Sequence, residues 1–254
     1  MTDTDIRVLY EDKHVIAAEK PVGILSEHAN DTDNADIVSL LIAREKENGN
    51  PTPYIAPIHR LDCAVGGVML LAKKPYAAGL LSEVMQKRGA EKTYLTVVQG
   101  IFTEKTGVLR DLLFKDARQN RVFVVDRMRA GVRESELSYR VLGEDVLDGQ
   151  PVSLLAVTLG TGRSHQIRVQ LSSRSHPVLC DGKYGGRRPA GAGDGGIALW
   201  SHHLVMPHPV TLSRTKDGRT PNPNAPAFPQ IDVRSCPPLD RVPWSVFADI
   251  INIQ

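Results

Sequence analysis

The sequence predicts an α+β fold with a central, mostly antiparallel sheet and flanking helices. Between Lys92 and Gly160, β-type runs follow one another across polar or glycine-bearing turns with no helical crossover, as antiparallel neighbours do. Outside that stretch, apolar residues recur at helical spacing in only a few places. With 254 residues, the chain can bury one large core or two small ones. Its 41% hydrophobic and 24% charged content is that of an ordinary globular protein.

Taken in order, Met1 to Asp5 is polar and acidic and is expected to be a disordered tail, leaving residues 6–250 as one domain. Ile6 to Tyr10 and His14 to Ala18 read as two strands, ended by Lys20-Pro21-Val22-Gly23, since proline and glycine both interrupt a ladder. Ile37, Leu40 and Leu41 form one face of a helix, opposite Arg44, Glu45 and Lys46, and Asn48-Gly49-Asn50-Pro51 stops it. His59-Arg60-Leu61-Asp62 then leads through Gly66 and Gly67 into the apolar run Val68 to Leu71, a loop and tight turn before a buried strand. Pro75 to Arg88 is a second helix, with Leu80, Leu81 and Val84 on one face and Gly89 after it.

Four strands are expected around Tyr94–Val98, Arg121–Val125, Ser138–Leu142 and Val152–Val157. Ser164 to Ser172 reads as a short helix capped by Ser164, which puts His165 and Arg168 on one face. The glycine-rich stretch from Gly185 to Gly196 reads as a flexible loop, and Ile197 to Met206 as a strand. Prolines then exclude long regular elements up to Pro243, before a short helix around Trp244 to Ile250.

Charge and cysteine usage narrow the classes. A formal charge of +2 announces no nucleic-acid binder, so any RNA affinity must come from local distribution. Cys63, Cys180 and Cys236 are far apart and odd in number, which suggests neither a disulfide framework nor a zinc site. The N-terminus lacks the apolar core of a signal peptide, and no run reaches the roughly 18 residues of a membrane span. The expectation is a cytoplasmic monomer with no obligate protein partner and no membrane association.

Three stretches in this order carry the chemistry: His59-Arg60-Leu61-Asp62; Lys92-Thr93-Tyr94; and Gly162-Arg163-Ser164-His165-Gln166-Ile167-Arg168 with His176-Pro177-Val178-Leu179-Cys180-Asp181-Gly182-Lys183-Tyr184-Gly185. Together they resemble the RluA-type pseudouridine synthases, whose pattern is HRLDxxTSG, Lys-x-Tyr, GRTHQIR and GxPIxGDxxYG. The resemblance runs from about Ile6 to Thr211, and the Glu11-Asp12 to Lys20-Pro21-Val22-Gly23 opening is similar to the family's first motif. The chain departs where the family usually has Thr-Ser-Gly, reading Val65-Gly66-Gly67, and it has Cys180-Asp181 for Gly-Asp. No room is expected before Ile6 for the S4-like module that many relatives carry.

The resemblance implies a bent sheet with a cleft across its middle and an enzyme that converts uridine to pseudouridine in ribosomal or transfer RNA. Asp62 would be the carboxylate nucleophile. Tyr94 would stack on uracil and assist removal of the C5 proton. Arg168 would favour the ionised carboxylate through a direct, bidentate contact with Asp62. Arg60 would enter the space left by the flipped base. His59, Leu61, Lys92, Arg163, His165 and Gln166 join it as substrate-binding residues. The isomerisation involves no redox change or net hydrolysis, so neither a cofactor nor a metal is expected.

Each residue also has a plainer role available to it. Asp62 could cap or pair locally with Arg60, Tyr94 could fill a half-buried strand position, and Arg60 could be a surface ion-pair arginine. His202, His203 and His208 suggest a metal, but lack the usual acidic or cysteine partners in sequence. Lys73-Lys74, Lys87-Arg88 and Arg187-Arg188 could track phosphates or be solvated faces. The competing functions are an RNA-binding protein on the same fold without catalysis and an aspartate-nucleophile hydrolase, the latter without a GxxxxGK[ST] loop to support it.

Overall fold

The computed structural model describes residues 6–28, 34–193, 196–212 and 229–253. The tail expected at Met1–Asp5 lies outside them, as do parts of the glycine-rich and proline-rich stretches. In chain order the elements are β1 (Val8–Glu11), β2 (Val15–Lys20), α1 (Ile37–Glu47), β3 (Ala56–Pro57), β4 (Gly66–Ala72), α2 (Pro75–Gln86) and β5 (Glu91–Gln99). They continue with β6 (Thr106–Asp116), β7 (Arg121–Val125), β8 (Val132–Leu147), β9 (Gln150–Leu159), α3 (Gln166–Ser172), β10 (Leu199–Met206), β11 (Ile231–Arg234) and α4 (Ala248–Ile251). Short 3₁₀ turns occur at Gly182–Tyr184 and Trp244–Phe247. The fold is α+β and sheet-dominated.

The chain divides into two compact units, 1–92 with 201–235 and 93–200 with 236–254. In the first, the strand order is β1-β2-β4-β10, with β3 on β4 and β11 on β10. Pairing is antiparallel between β1 and β2, β2 and β4, β3 and β4, and β10 and β11. Val15, Ala17, Val68, Leu70, Leu204 and Met206 form its core with Ala77 and Leu81 of α2. β4 is buried along its whole length, as its unbroken apolar run requires. α1 begins where Asp36 accepts the Ser39 amide at 2.9 Å. Glu45, assigned by the sequence to the polar face of α1, is buried because Lys73 reaches it at 3.0 Å.

In the second unit the order is β5-β9-β8-β6-β7, and each of these neighbouring pairs is antiparallel. β6 was not among the expected strands, and β8 is far longer than Ser138–Leu142. A bulge between Val141 and Gly143 bends β8. A Cβ at Gly143 would lie 2.4 Å from the Ile250 Cδ1, so a side chain there would displace the tip of Ile250. Leu113, Val122, Val169 and Tyr184 make a smaller core beneath α3.

Candidate active site

Asp62 lies in the first unit, on the loop between β3 and β4, and the backbone on both sides of it is tied down. Ser26 Oγ donates to the Leu61 carbonyl at 2.8 Å and accepts the Leu61 amide at 2.9 Å. The Asp62 carbonyl accepts the Val65 amide at 3.0 Å, closing a tight turn, and the Cys63 carbonyl accepts the Gly23 amide at 2.9 Å. Lys20, fully buried, donates to the carbonyls of Pro21 and Ile24 at 2.8 Å and of Cys63 at 3.4 Å. Burial lowers the Lys20 pKa to about 8, while the charges of Cys63 and Asp62 pull it upward. Gly67, at φ +113°, lets β4 meet β10: a Cβ there would lie 2.2 Å from the Ser201 carbonyl oxygen.

His59 braces the same loop. Its Nε2 accepts the Leu70 amide at 3.1 Å, which assigns the proton to Nδ1. Burial, with the nearby Lys92 charge, lowers its pKa to about 3, so the ring is neutral. Burial also lowers the Lys92 pKa. Leu61 is buried, and Arg60 is exposed and paired with Glu27 at 2.7 Å.

In the second unit Tyr94 is a buried residue of β5, opposite Val157. Arg168, on α3, makes a bidentate contact with Asp181, Nε to Oδ2 at 2.6 Å and Nη2 to Oδ1 at 2.8 Å, and both residues are buried. Asp181, not singled out from the sequence, thus grips the Arg168 guanidinium head. The Arg168 guanidinium also lies over the Tyr184 ring, 5.1 Å from its centroid. Tyr184 Oη accepts the Val122 amide at 2.8 Å and is bonded at 2.8 Å to His165 Nδ1. Burial raises the Tyr184 pKa.

The loop before α3 is built differently from the sequence expectation. The helix starts at Gln166, not at a Ser164 cap, because His165 adopts a left-handed conformation at φ 50°. Gln166 supplies the local order instead. Its side-chain oxygen accepts the Thr161 hydroxyl at 2.7 Å and the Arg163 amide at 3.0 Å, and its Nε2 donates to the Glu136 carbonyl at 2.9 Å. Arg163 Nε donates to the Glu134 carbonyl at 3.0 Å. Of the residues named for substrate contact, His59, Leu61, Arg163, His165 and Gln166 thus have bonds within the scaffold.

Lys20, Ser26, Asp181 and Tyr184 were not singled out from the sequence. Lys20, Asp181 and Tyr184 nonetheless stand inside the quoted motifs, and a charged residue in an apolar context was the available signal. The three histidines have separate partners: His202 bonds the Ser235 carbonyl, His203 Asp232 and His208 Asp12, each at 2.7 Å. Among the described residues no group of three or more His, Cys, Asp or Glu is placed to hold a metal ion. Of the basic pairs, Lys73 belongs to a network with Glu11 and Glu45, and Lys87 pairs with Glu83. Arg187 donates to the Leu147 carbonyl at 2.7 Å. Among the described residues no helix is long and apolar enough to cross a membrane.

This arrangement of strands is that of the pseudouridylate synthases. The human RNA pseudouridylate synthase domain containing 4 protein superposes with a TM-score of 0.70 at 19% identity over 97% of this chain and 93% of its own. The human domain containing 1 protein gives 0.68 at 19% identity over 92% and 84%.

The chain belongs to the RNA pseudouridylate synthase family, whose model matches residues 14–173, and within it is of the RluA type. The dual-specificity RNA pseudouridine synthase RluA of Yersinia pestis is 31% identical over 80% of this chain and 92% of its own length. The uncharacterized RNA pseudouridine synthase YhcT of Bacillus subtilis is 29% identical over 72% of this chain. An Aquifex aeolicus relative, also an uncharacterized RNA pseudouridine synthase, is 33% identical over 71%. The chain spans 58% and 56% of the lengths of these last two relatives.

Proposed function

We propose that this protein is an RNA pseudouridine synthase that isomerises uridine in structured RNA, ribosomal or transfer, with Asp62 as its nucleophile. Residues 6–250 act in this reading as one catalytic domain. The observation that carries it is the Asp62 loop. Leu61, Asp62 and Cys63 each have their carbonyl held, by Ser26, Val65 and Gly23 respectively, so the carboxylate stands on a pinned backbone. A nucleophile held in one place loses little entropy on reaching its transition state.

In the reaction the C1′–N1 bond breaks, the uracil turns, and C5 joins C1′; C5 loses a proton and N1 gains one. Tyr94 is assigned to stack on the base and to help take the C5 proton. Arg168 has five N–H donors, two of them directed at Asp181, and its remaining function is to stabilise the ionised Asp62. The exposed Arg60–Glu27 pair contributes little to stability, so Arg60 can exchange Glu27 for RNA at small cost.

The test is to map pseudouridines across total RNA treated with the wild-type protein and with Asp62→Asn. The near-isosteric variant is expected to keep its fold and RNA binding and to form no product. Product from Asp62→Asn would remove Asp62 from the chemistry. A wild-type protein that binds RNA without modifying it would instead favour the noncatalytic reading.

A further inference from the structure

The paired arginines of the second unit include Arg110 with Glu136 at 2.7 Å, Arg174 with Asp111 at 2.9 Å and Arg168 with Asp181. Arg121, the first residue of β7, has a different environment. Its guanidinium lies over two rings, 5.3 Å from the Tyr184 centroid and 5.7 Å from that of Phe123. Its Nε is buried and, among the described residues, has no hydrogen-bond partner. A buried N–H left unpaired is destabilising, and an arriving acceptor would relieve it. The nearest carboxylate in register, Asp116, is engaged by the turn, accepting the Arg118 and Gln119 amides at 2.9 and 3.1 Å.

The surroundings of Arg121 favour an anion with more than one oxygen. Lys115 and Arg118 are exposed on the same hairpin, and Lys183 Nζ bonds the carbonyl of Asn120, the preceding residue, at 3.0 Å. β7 is an edge strand, and Phe123 on it is 37% exposed. A planar guanidinium beside flanking cations and an exposed ring matches a nucleic-acid backbone, where phosphate oxygens take the fork and a base can lie on the ring.

We propose that Arg121 binds a backbone phosphate of the RNA substrate at the β6–β7 hairpin. This rests on the reading of the chain as an RNA-modifying enzyme. The two cation–π contacts hold the guanidinium in place before RNA arrives. Because Arg168 lies over the same Tyr184 ring, the phosphate would dock one aromatic residue away from the proposed partner of Asp62.

The test measures binding of a fluorescein-labelled RNA stem–loop with loop uridines, and of a second with a scrambled loop, across a range of salt. Arg121→Met keeps a long apolar side chain beside the rings and removes the charge. It is expected to weaken both RNAs equally, by about tenfold, and to reduce the salt slope by about one. Arg121→Lys should keep the slope, and Arg110→Gln should bind as wild type. A twofold or smaller change with an unaltered slope in Arg121→Met would overturn the assignment, as would loss of the slope in Arg121→Lys. Thermal melts check the fold of each variant. If Arg121→Met does not fold, a phosphorothioate-linked photo-crosslinker on the same stem–loop must still label the wild-type peptide containing Arg121, and no label there would overturn the proposal. A wild-type protein that neither binds nor modifies RNA would fail the functional reading itself, whereas normal modification with an indifferent Arg121 would fail this inference alone.

Discussion

Asp62 and Arg168 are held by different kinds of contact. Around Asp62 the backbone is held: the Leu61, Asp62 and Cys63 carbonyls are bonded to Ser26, Val65 and Gly23, with a buried lysine supporting the last. Around Arg168 the constraint is on the side chain, through the Asp181 carboxylate and the Tyr184 ring. The difference follows from length. A carboxylate on a single methylene is positioned once its backbone is fixed, whereas a guanidinium at the end of a long flexible side chain must be gripped at its head.

The largest effect should come from breaking the grip on the side chain. Asp181→Ala leaves a buried guanidinium without that carboxylate, and such losses cost about 3–5 kcal/mol. Urea denaturation measures this, and a loss below about 1 kcal/mol would mean that Asp181 is not what holds Arg168.

The backbone side can be probed through pH. Lys20 titrates near 8 when folded and at 10.5 when free, so between those values the unfolded chain binds more protons and stability rises with pH. Below about 8 both states are protonated and the burial penalty is fully present. The shift amounts to roughly 3 kcal/mol, and Lys20→Met should flatten that part of the stability–pH curve. Parallel curves for the two proteins would show that burial does not lower the Lys20 pKa.

A smaller effect is expected from Ser26→Ala, which removes one partner from both backbone groups of Leu61. Leaving buried groups unpaired should cost about 1–3 kcal/mol and lower turnover more than RNA binding, because the loop rather than the binding surface is loosened. Equal loss in turnover and binding would argue that the loop also contacts RNA directly.

The parts legible in the sequence were those encoded locally. The buried run of β4 and its preceding turn, the helix over Pro75–Gln86 and the antiparallel succession after Lys92 follow from period and turn chemistry. β6 escaped because Thr106–Asp116 mixes polar and apolar positions without clean alternation, with Val108 half exposed beside buried Leu109. The start of α3 escaped because a left-handed His165 has no sequence signature, and the side-chain amide of Gln166 replaces a hydroxyl cap. The fork between Arg168 and Asp181 escaped for a related reason: the two stand in separate motifs, and only three-dimensional packing brings them together.

Gly67 bears on how freely this loop can vary between proteins. Of the family's Thr-Ser-Gly, only the glycine is retained here. Val65 serves the turn through its backbone amide, which any residue but proline supplies. At Gly67 even a methyl group would overlap the Ser201 carbonyl, which belongs to a buried residue of β10 and has no room to yield. Drift at positions 65 and 66 therefore leaves the turn's backbone geometry intact, while any side chain at 67 would push two strands apart directly behind the Asp62 turn.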